Sequence, residues 1–453
     1  MKRSTLPAAT LLLTTLCVTS PAQADRPVLD PSRPIGWGAA ATGGEGGPTY
    51  TVTTRKELAE ALAQPSPKIV KVRGTILGNQ TDDGRLLGEQ DYAPGYSLTK
   101  YLSCFVDGKV WSDQAFEYCG QMRRLRQTGS NNQKRQIQLT VPSDTTLVGE
   151  GTDAKLEGVF LSINTGTNIV VRGLTLESPI DHFTTWSPTD GALGAWNARF
   201  KAFGIVTGTR IWIDHNTFTD GQHLDRDAPT GPNGKPVNRH DGLLDIEDGS
   251  DLITVSYNRF VNHDKNMLVG SGDSRGDRDR GKLRLTLYAN LFDGISQRSP
   301  RVRFGAVHVF NNYYRASATG EQPVVSNDQG GPSHYLGLGL ESKVYSEHNA
   351  FDYDGSQDIV VQNWNAHQFY DHRSWFNGRP VDVAAVARRK FEASKAAELA
   401  RAAEAGTAPA AWTAQEFTTD VGWRPSEVYG YRPLNNNNLV KRMVLEHSGP
   451  QGL

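Results

Sequence analysis

Five short segments of the chain repeat one pattern: "RIWIDHNTF" (210–218), "LITVSYNRF" (252–260), "LRLTLYANLF" (283–292), "VHVFNNYY" (307–314) and "KVYSEHNAF" (343–351). Each alternates as a strand does and then ends in Asn, one further residue and an aromatic. The Asn residues stand at 216, 258, 290, 312 and 349, which gives steps of 42, 32, 22 and 37. The shortest step defines one turn, and the longer steps carry insertions. A strand-sized repeat of about 22 residues leaves no room for the helix of a βαβ unit. It fits a parallel β-helix, whose coils stack and bury one continuous core. An Asn at one corner of each coil can stack and bond the backbone of the next, so these residues are assigned structure and no chemistry.

Upstream, "KIVKVRGTI" (68–76), "DTTLVGEG" (144–151) and "TNIVVRGLTLES" (167–178) read as earlier coils. Between them residues 78–138 form a long polar excursion, an insertion or lid, that holds Cys104 and Cys119. Residues 379–406 are Ala-rich and charged with helical spacing and are expected to cover part of the solenoid. The chain opens with Lys2 and Arg3, an apolar run too short to cross a bilayer, and Ala22-Gln23-Ala24, the pattern of a secretory signal peptide. The expected organisation is a signal peptide at 1–24, an all-β solenoid at 25–378 interrupted by the insertion at 78–138, and a helical and irregular extension at 379–453 packing on the solenoid.

Export places the two remaining cysteines in an oxidising compartment, and one disulfide closing a small loop is expected. Without the leader, 46 basic residues face 49 acidic ones, a net −3. That balance gives no reason to expect nucleic acid, and no segment has the length of a membrane span. Against this near-neutral background "SQRSPRVRFG" (296–305) sets Arg298, Arg301 and Arg303 within six positions. Such a group is either a solvated patch or a seat for an anion, because each guanidinium fork matches a carboxylate or phosphate.

"WIDHNTF" from Trp212, "DGLLDIEDGSDLITVSYNRF" from Asp241, "HDKNMLVGSGD" from His263 and "RSPRVRFGAVHVFNNYY" from Arg298 follow one another as successive motifs of the pectate lyase family, which also contains pectin lyases. The chain resembles that family, in order, over roughly residues 35–351. The resemblance implies a right-handed parallel β-helix that cleaves polygalacturonate by β-elimination to unsaturated oligogalacturonides, normally with Ca2+. It implies Arg298, the first Arg of Arg-x-Pro-x-x-Arg, as the base that removes the proton. Arg303 and Lys265 would bind substrate carboxylates, and Asp241 and Asp245 would be calcium ligands. The expected partner is pectin or polygalacturonate, with the protein secreted and a monomer.

Elementary chemistry agrees with these roles. Elimination removes a proton from the carbon beside a carboxylate, so negative charge grows there and fixed cations are the main requirement. Asp241 and Asp245 share one strand face, yet in a straight strand they stand about 13 Å apart, so a bend near Gly242 is needed for them to meet. Arginine ordinarily stays protonated. Its use as a base calls for neighbouring cations that disfavour its charged form, and a strongly alkaline optimum follows.

One departure stands out. Relatives that resemble this chain carry an acidic calcium ligand eleven residues before the Trp of "WIDH"; here that place holds Lys201, and the neighbouring Glu position holds Arg199. Two outcomes stay open. Lys201 sits against Asp241 and Asp245 as a metal-replacing cation, or the segment is shifted and another acid such as Asp190 completes a calcium site. Calcium is kept as the expected cofactor. The alternatives to a pectate lyase are a calcium-independent pectin lyase acting on methyl-esterified pectin and a non-catalytic polysaccharide-binding β-helix. Asp214 and His215 look catalytic as a pair but are assigned to packing in a repeat corner.

Overall fold

The structure, a computed structural model, describes residues 31–106, 110–189, 194–231, 234, 236–318 and 333–452. The signal-peptide segment 1–24 and Asp190 lie outside the described residues. Three rows of parallel strands wind around one core. In the central coil the chain runs through Leu244–Glu247, then Asp251–Ser256, turns at Asn258, runs through Arg259–Lys265, and opens the next coil at Leu268–Val269. The first row is an eight-stranded sheet from Gln138–Thr140 to Val361–Asn363. The fold is a right-handed parallel β-helix.

Parallel, in-register rungs place each inward side chain directly over its counterpart about 4.8 Å below, so like residues must stack on like. In the second row Ile211, Ile253, Leu285, Val307, Val344 and Phe369 share one register. All six are buried. In the third row Phe218, Phe260, Phe292, Tyr314 and Phe351 stack with ring centroids 4.6 to 5.1 Å apart. These rings are the aromatics that close the sequence repeat.

The Asn residues form a continuous ladder at the corner between the second and third rows. Asn216, Asn258, Asn290 and Asn312 each donate from Nδ2 to Oδ1 of the next Asn at 3.0–3.1 Å, ending on Asn349. The same Oδ1 atoms accept the backbone N–H of the Asn one coil earlier, as Asn258 does from Asn216 at 2.9 Å. The residue before each, His215, Tyr257, Ala289, Asn311 or His348, has φ between 51° and 57°. A non-glycine residue in that left-handed region costs about 1–2 kcal/mol. The ladder offsets this by satisfying corner amides that the bend removes from the sheet.

The excursion at 78–138 is largely helical, with helices at Glu89–Tyr92, Leu98–Ser103 and Cys119–Ile137. Cys104 and Cys119 are joined by a disulfide. Tyr96, Phe105 and Met122 of this insertion build a second apolar core with Phe183, Trp186 and Trp196. Gly129 is required there, since a Cβ would lie 2.3 Å from the Phe183 ring. At the far end the helix Val383–Ala405, begun by the Asp382 cap and stopped by Gly406 at φ 62°, inserts Val383, Val386 and Phe391 into the main core. No helix among the described residues is long and apolar enough to cross a membrane.

Candidate active site

The candidate residues lie on neighbouring coils, where the third row passes into the first-row sheet. Lys265 pairs in register with Gln297, the residue before Arg298, and Leu268 pairs with Arg301. The Arg298 backbone is left-handed, at φ 65°, which turns the chain out of the third row before Arg301–Val302 rejoins the first. Val302 points into the core and is 1 % exposed, so its neighbours Arg301 and Arg303 lie on the other face by alternation. The Arg298 Nε is buried and has no hydrogen-bond partner among the described residues.

Arg303 donates from Nε to Asp273 at 2.6 Å and from Nη1 to the Gly270 carbonyl at 3.0 Å. Lys265 reaches the Trp196 carbonyl at 3.3 Å and Asn238 Oδ1 at 3.5 Å. Arg301, for which the sequence assigned no role, lays its guanidinium over the Trp364 ring at 4.1 Å. Burial, then the charges of Arg303 and Arg298, push its pKa down to about 9.

Beneath Lys265 lies a buried polar network. His263 donates from Nε2 to the Lys265 carbonyl at 3.2 Å, and its Nδ1 faces Asp220 at 2.8 Å. Both partners are acceptors, so both ring nitrogens carry protons and the imidazole is charged. Burial opposes that charge, but the Asp220 carboxylate outweighs it and the pKa rises to about 9. Sequence reading assigned no role to His263; its place two residues before Lys265, on the same strand, was the available signal.

One rung away, Lys201 Nζ stands 2.8 Å from Asp245, 2.9 Å from Glu247 and 4.0 Å from Asp241. The chain bends before the strand Leu244–Glu247, which brings Asp241 and Asp245 to one ammonium. Gly242 permits the bend's close approach, since a Cβ there would lie 2.3 Å from Asp245 Oδ1. Burial opposes the charge on Lys201, and the carboxylates of Asp245, Asp241 and Glu247 overcome it and hold the ammonium charged. Burial also pushes Asp245 up to about 6, against the pull of Lys201. Glu247 was missed by sequence reading although its signal was present: two residues beyond Asp245 in a strand is the same face.

Arg199 takes no part in this cluster. It donates to Ser130 and Asn131 of the helix Cys119–Ile137 and ties the insertion to the solenoid. The Asp214 and His215 pair is buried at the ladder corner, with Asp214 held by Arg172 and Ser256 and His215 stacked on Tyr257.

A pectate lyase family model matches residues 116–453. The chain is 37 % identical to a pectate lyase of Bacillus subtilis (strain 168) over 364 residues, covering 78 % of this chain and 83 % of that protein. It is 32 % identical to pectate lyase A of Dickeya chrysanthemi, covering 79 % and 80 %. A pectate lyase solved with a bound hexasaccharide superposes with a TM-score of 0.78 at 31 % identity, over 95 % of this chain and all of that one. With stacked coils, ordered motifs and relatives aligned along most of its length, the chain belongs to the pectate lyase family.

Proposed function

We propose that the protein cleaves polygalacturonate by β-elimination. The observation that carries this reading is the set of cations that adjacent coils gather where the third row passes into the first: Lys265 and, after its register partner Gln297, Arg298, whose buried Nε has no partner among the described residues, followed by Arg301 and Arg303 in and after the first-row strand. A uronate carboxylate seated among Lys265 and Arg303 has its growing negative charge stabilised in place by groups that need no reorganisation. Arg298 then takes the proton from the carbon beside that carboxylate, the electron pair left behind forms a double bond to the neighbouring carbon as the bond from that carbon to the glycosidic oxygen breaks, and the leaving oxygen takes a proton from solvent. Arg303 has donors left for a ligand, since only Nε and Nη1 are committed among the described residues.

Calcium is the cofactor that the resemblance implies, with Asp241 and Asp245 as its ligands. Oxygen ligands are present, as calcium prefers, but the Lys201 ammonium stands among them at 2.8–4.0 Å. These residues do not fit a tightly held divalent ion while Lys201 is charged and in place. Among the described residues no group of three or more His, Cys, Asp or Glu forms a metal site either. Lys201 is therefore assigned the fixed positive charge beside Asp241, Asp245 and Glu247. Residues 1–24 are proposed as an export signal, residues 25–378 as the catalytic unit, and the active form as a monomer.

The test is release of ultraviolet-absorbing unsaturated product from low-ester and high-ester pectin, each with calcium and with chelator. Product from the low-ester polymer is expected. Product from the high-ester polymer alone would make the protein a pectin lyase, and none from either would leave a binding protein.

A further inference from the structure

Arg298 sits in a turn that the next coil straps on both sides. The Ser333 N–H donates to the Ser296 carbonyl at 2.8 Å, and the Ser299 N–H donates to the Tyr335 carbonyl at 2.7 Å. Between the two straps lies His334, 2 % exposed. Trp364 follows the strand Val361–Asn363, two rungs from Arg301, and its ring centroid still lies 4.1 Å from the Arg301 guanidinium. The rung between them permits this reach. Arg301 pairs in register with Gly337 and Gly337 with Gln362, and a Cβ on Gly337 would lie 3.1 Å from both the Trp364 ring and the Arg301 Cβ. The His334 ring meets the Trp364 ring edge-on with centroids 5.1 Å apart, so the two rings form one wall.

This wall carries no charge. The face of Trp364 attracts a guanidinium without cancelling it. Burial, then the charges of Arg301, Arg298 and Lys390 of the helix Val383–Ala405, push the pKa of His334 well down, so its imidazole is neutral. Its Nε2 is buried and has no hydrogen-bond partner among the described residues. Neighbouring cations favour the lone pair at that nitrogen, which leaves the proton on Nδ1 to donate to Ser333 Oγ at 2.7 Å. Among the described residues the carboxylate that bears on Arg301 is Asp273, and Asp273 is already paired with Arg303 at 2.6 Å. The Arg301 charge is thus left uncancelled three residues from the base.

We propose that Trp364 and His334 are positioning residues for the reaction: they form a carboxylate-free seat that holds the Arg301 charge, uncancelled, beside Arg298. Neither touches the reacting atoms, and the proposal rests on the lyase reading, in which Arg298 is the base. A cation held close to a base disfavours a second positive charge and so helps the base to be free of its proton. A carboxylate in the wall would pair with Arg301 in the two-fold geometry that a guanidinium favours and would undo this. With the charge cancelled, the base holds its proton to higher pH, and the acid limb of the rate profile moves upward.

The experiment follows initial rates on polygalacturonate across pH for the wild type, Trp364→Glu, His334→Glu and the neutral controls Trp364→Phe and His334→Gln, with thermal unfolding to confirm that each folds. Both glutamate variants are expected to move the acid limb of kcat up by about one pH unit, a roughly tenfold loss on that limb that shrinks as pH rises. The neutral controls are expected to keep the wild-type limb. A rate lowered by the same factor at every pH, or a limb that stays in place in the glutamate variants, overturns the seat. Should those variants fail to fold, Arg301→Gln and Arg301→Lys make the same comparison: loss of the charge moves the limb up, and its retention keeps the limb in place. In parallel the Arg301 Cζ is followed by NMR on isotope-labelled arginine, with the signal assigned through Arg301→Lys. Titration at about 9 is expected in the wild type, and at higher pH in both glutamate variants. Equal midpoints overturn the seat. If the wild type releases no unsaturated product, the lyase reading falls, and the NMR midpoints still decide whether the wall leaves Arg301 uncancelled.

Discussion

Lys201 decides what its three carboxylate neighbours can hold. An ammonium within 4.0 Å of Asp241, Asp245 and Glu247 satisfies them and repels a divalent ion. The wild type is therefore expected to need more calcium than its relatives or to retain activity in chelator, and Lys201→Asp should strengthen calcium binding by roughly tenfold or more. Tight calorimetric binding by the wild type, with activity abolished by chelator and no gain in the variant, would overturn this. For the base, Arg298→Lys should lower kcat by about two to four orders of magnitude in a folded protein, because Lys keeps the charge but loses the fork. Near-normal turnover would remove Arg298 from that role. Lys265→Ala and Arg303→Ala should raise KM as well as lower kcat, since each loses a carboxylate contact made before the transition state; unchanged kinetics on polygalacturonate would reject both. Much of this cluster is legible in the sequence through the family resemblance, which singles out Arg298, Lys265, Arg303, Asp241, Asp245 and, as a departure from its pattern, Lys201. Glu247, although inside the motif from Asp241 and on the strand face of Asp245, escaped because the resemblance assigns it no role, and the stacking of Arg301 on Trp364 escaped because 63 residues separate partners that only the coil brings together.

At the scale of elements, the repeat in the sequence is the ladder in the structure. Asn258→Ala removes the acceptor for the Asn216 N–H and the donor to Asn290, and leaves buried backbone groups without partners. A loss of roughly 2–4 kcal/mol is expected from denaturant unfolding, about 1–3 for each group left unsatisfied. A loss below about 0.5 kcal/mol would mean that the corner is held by its strands alone. The aromatic row makes the opposite prediction at one rung. The Tyr314 hydroxyl is buried without a partner among the described residues, in a stack that is otherwise phenylalanine at Phe260, Phe292 and Phe351. Tyr314→Phe should leave stability unchanged or raise it by up to about 2 kcal/mol, and a clear loss would reveal a bonded hydroxyl. The rows were legible because their period is local and every coil repeats it. The helix Cys119–Ile137 was not, because its sequence is polar and the rings it packs on, including Phe183, Trp186 and Trp196, lie outside the excursion.

For the whole molecule, the pH that favours the chemistry and the pH that the fold withstands oppose each other. An arginine base works better as alkalinity rises. The network under Lys265 does the reverse, because His263 is charged, fully buried and bonded to Asp220 and to the Lys265 carbonyl. Its pKa is raised to about 9 in the folded protein, against about 6.5 for an unperturbed imidazole. A raised value means that its contribution is fully present below about pH 6.5 and is lost as pH climbs through about 9, on the order of 3 kcal/mol. Above that the Asp220 carboxylate is left buried without its cation, with Asp225 and Asp264 adding to the repulsion. Asp225, itself pushed up to about 6 chiefly by burial, gives up its contribution well before this window opens. Thermal unfolding followed across pH should show the wild type losing stability progressively from about pH 6.5 to about 9 and levelling off above it. His263→Gln should start lower at neutral pH and stay flat through the same range. Activity should then fall away on the alkaline side by unfolding rather than by chemistry, so the apparent optimum should move to lower pH as the assay is lengthened or warmed. An optimum that ignores assay time, together with a wild-type midpoint constant to pH 10, would show that the His263 and Asp220 pair does not limit the fold.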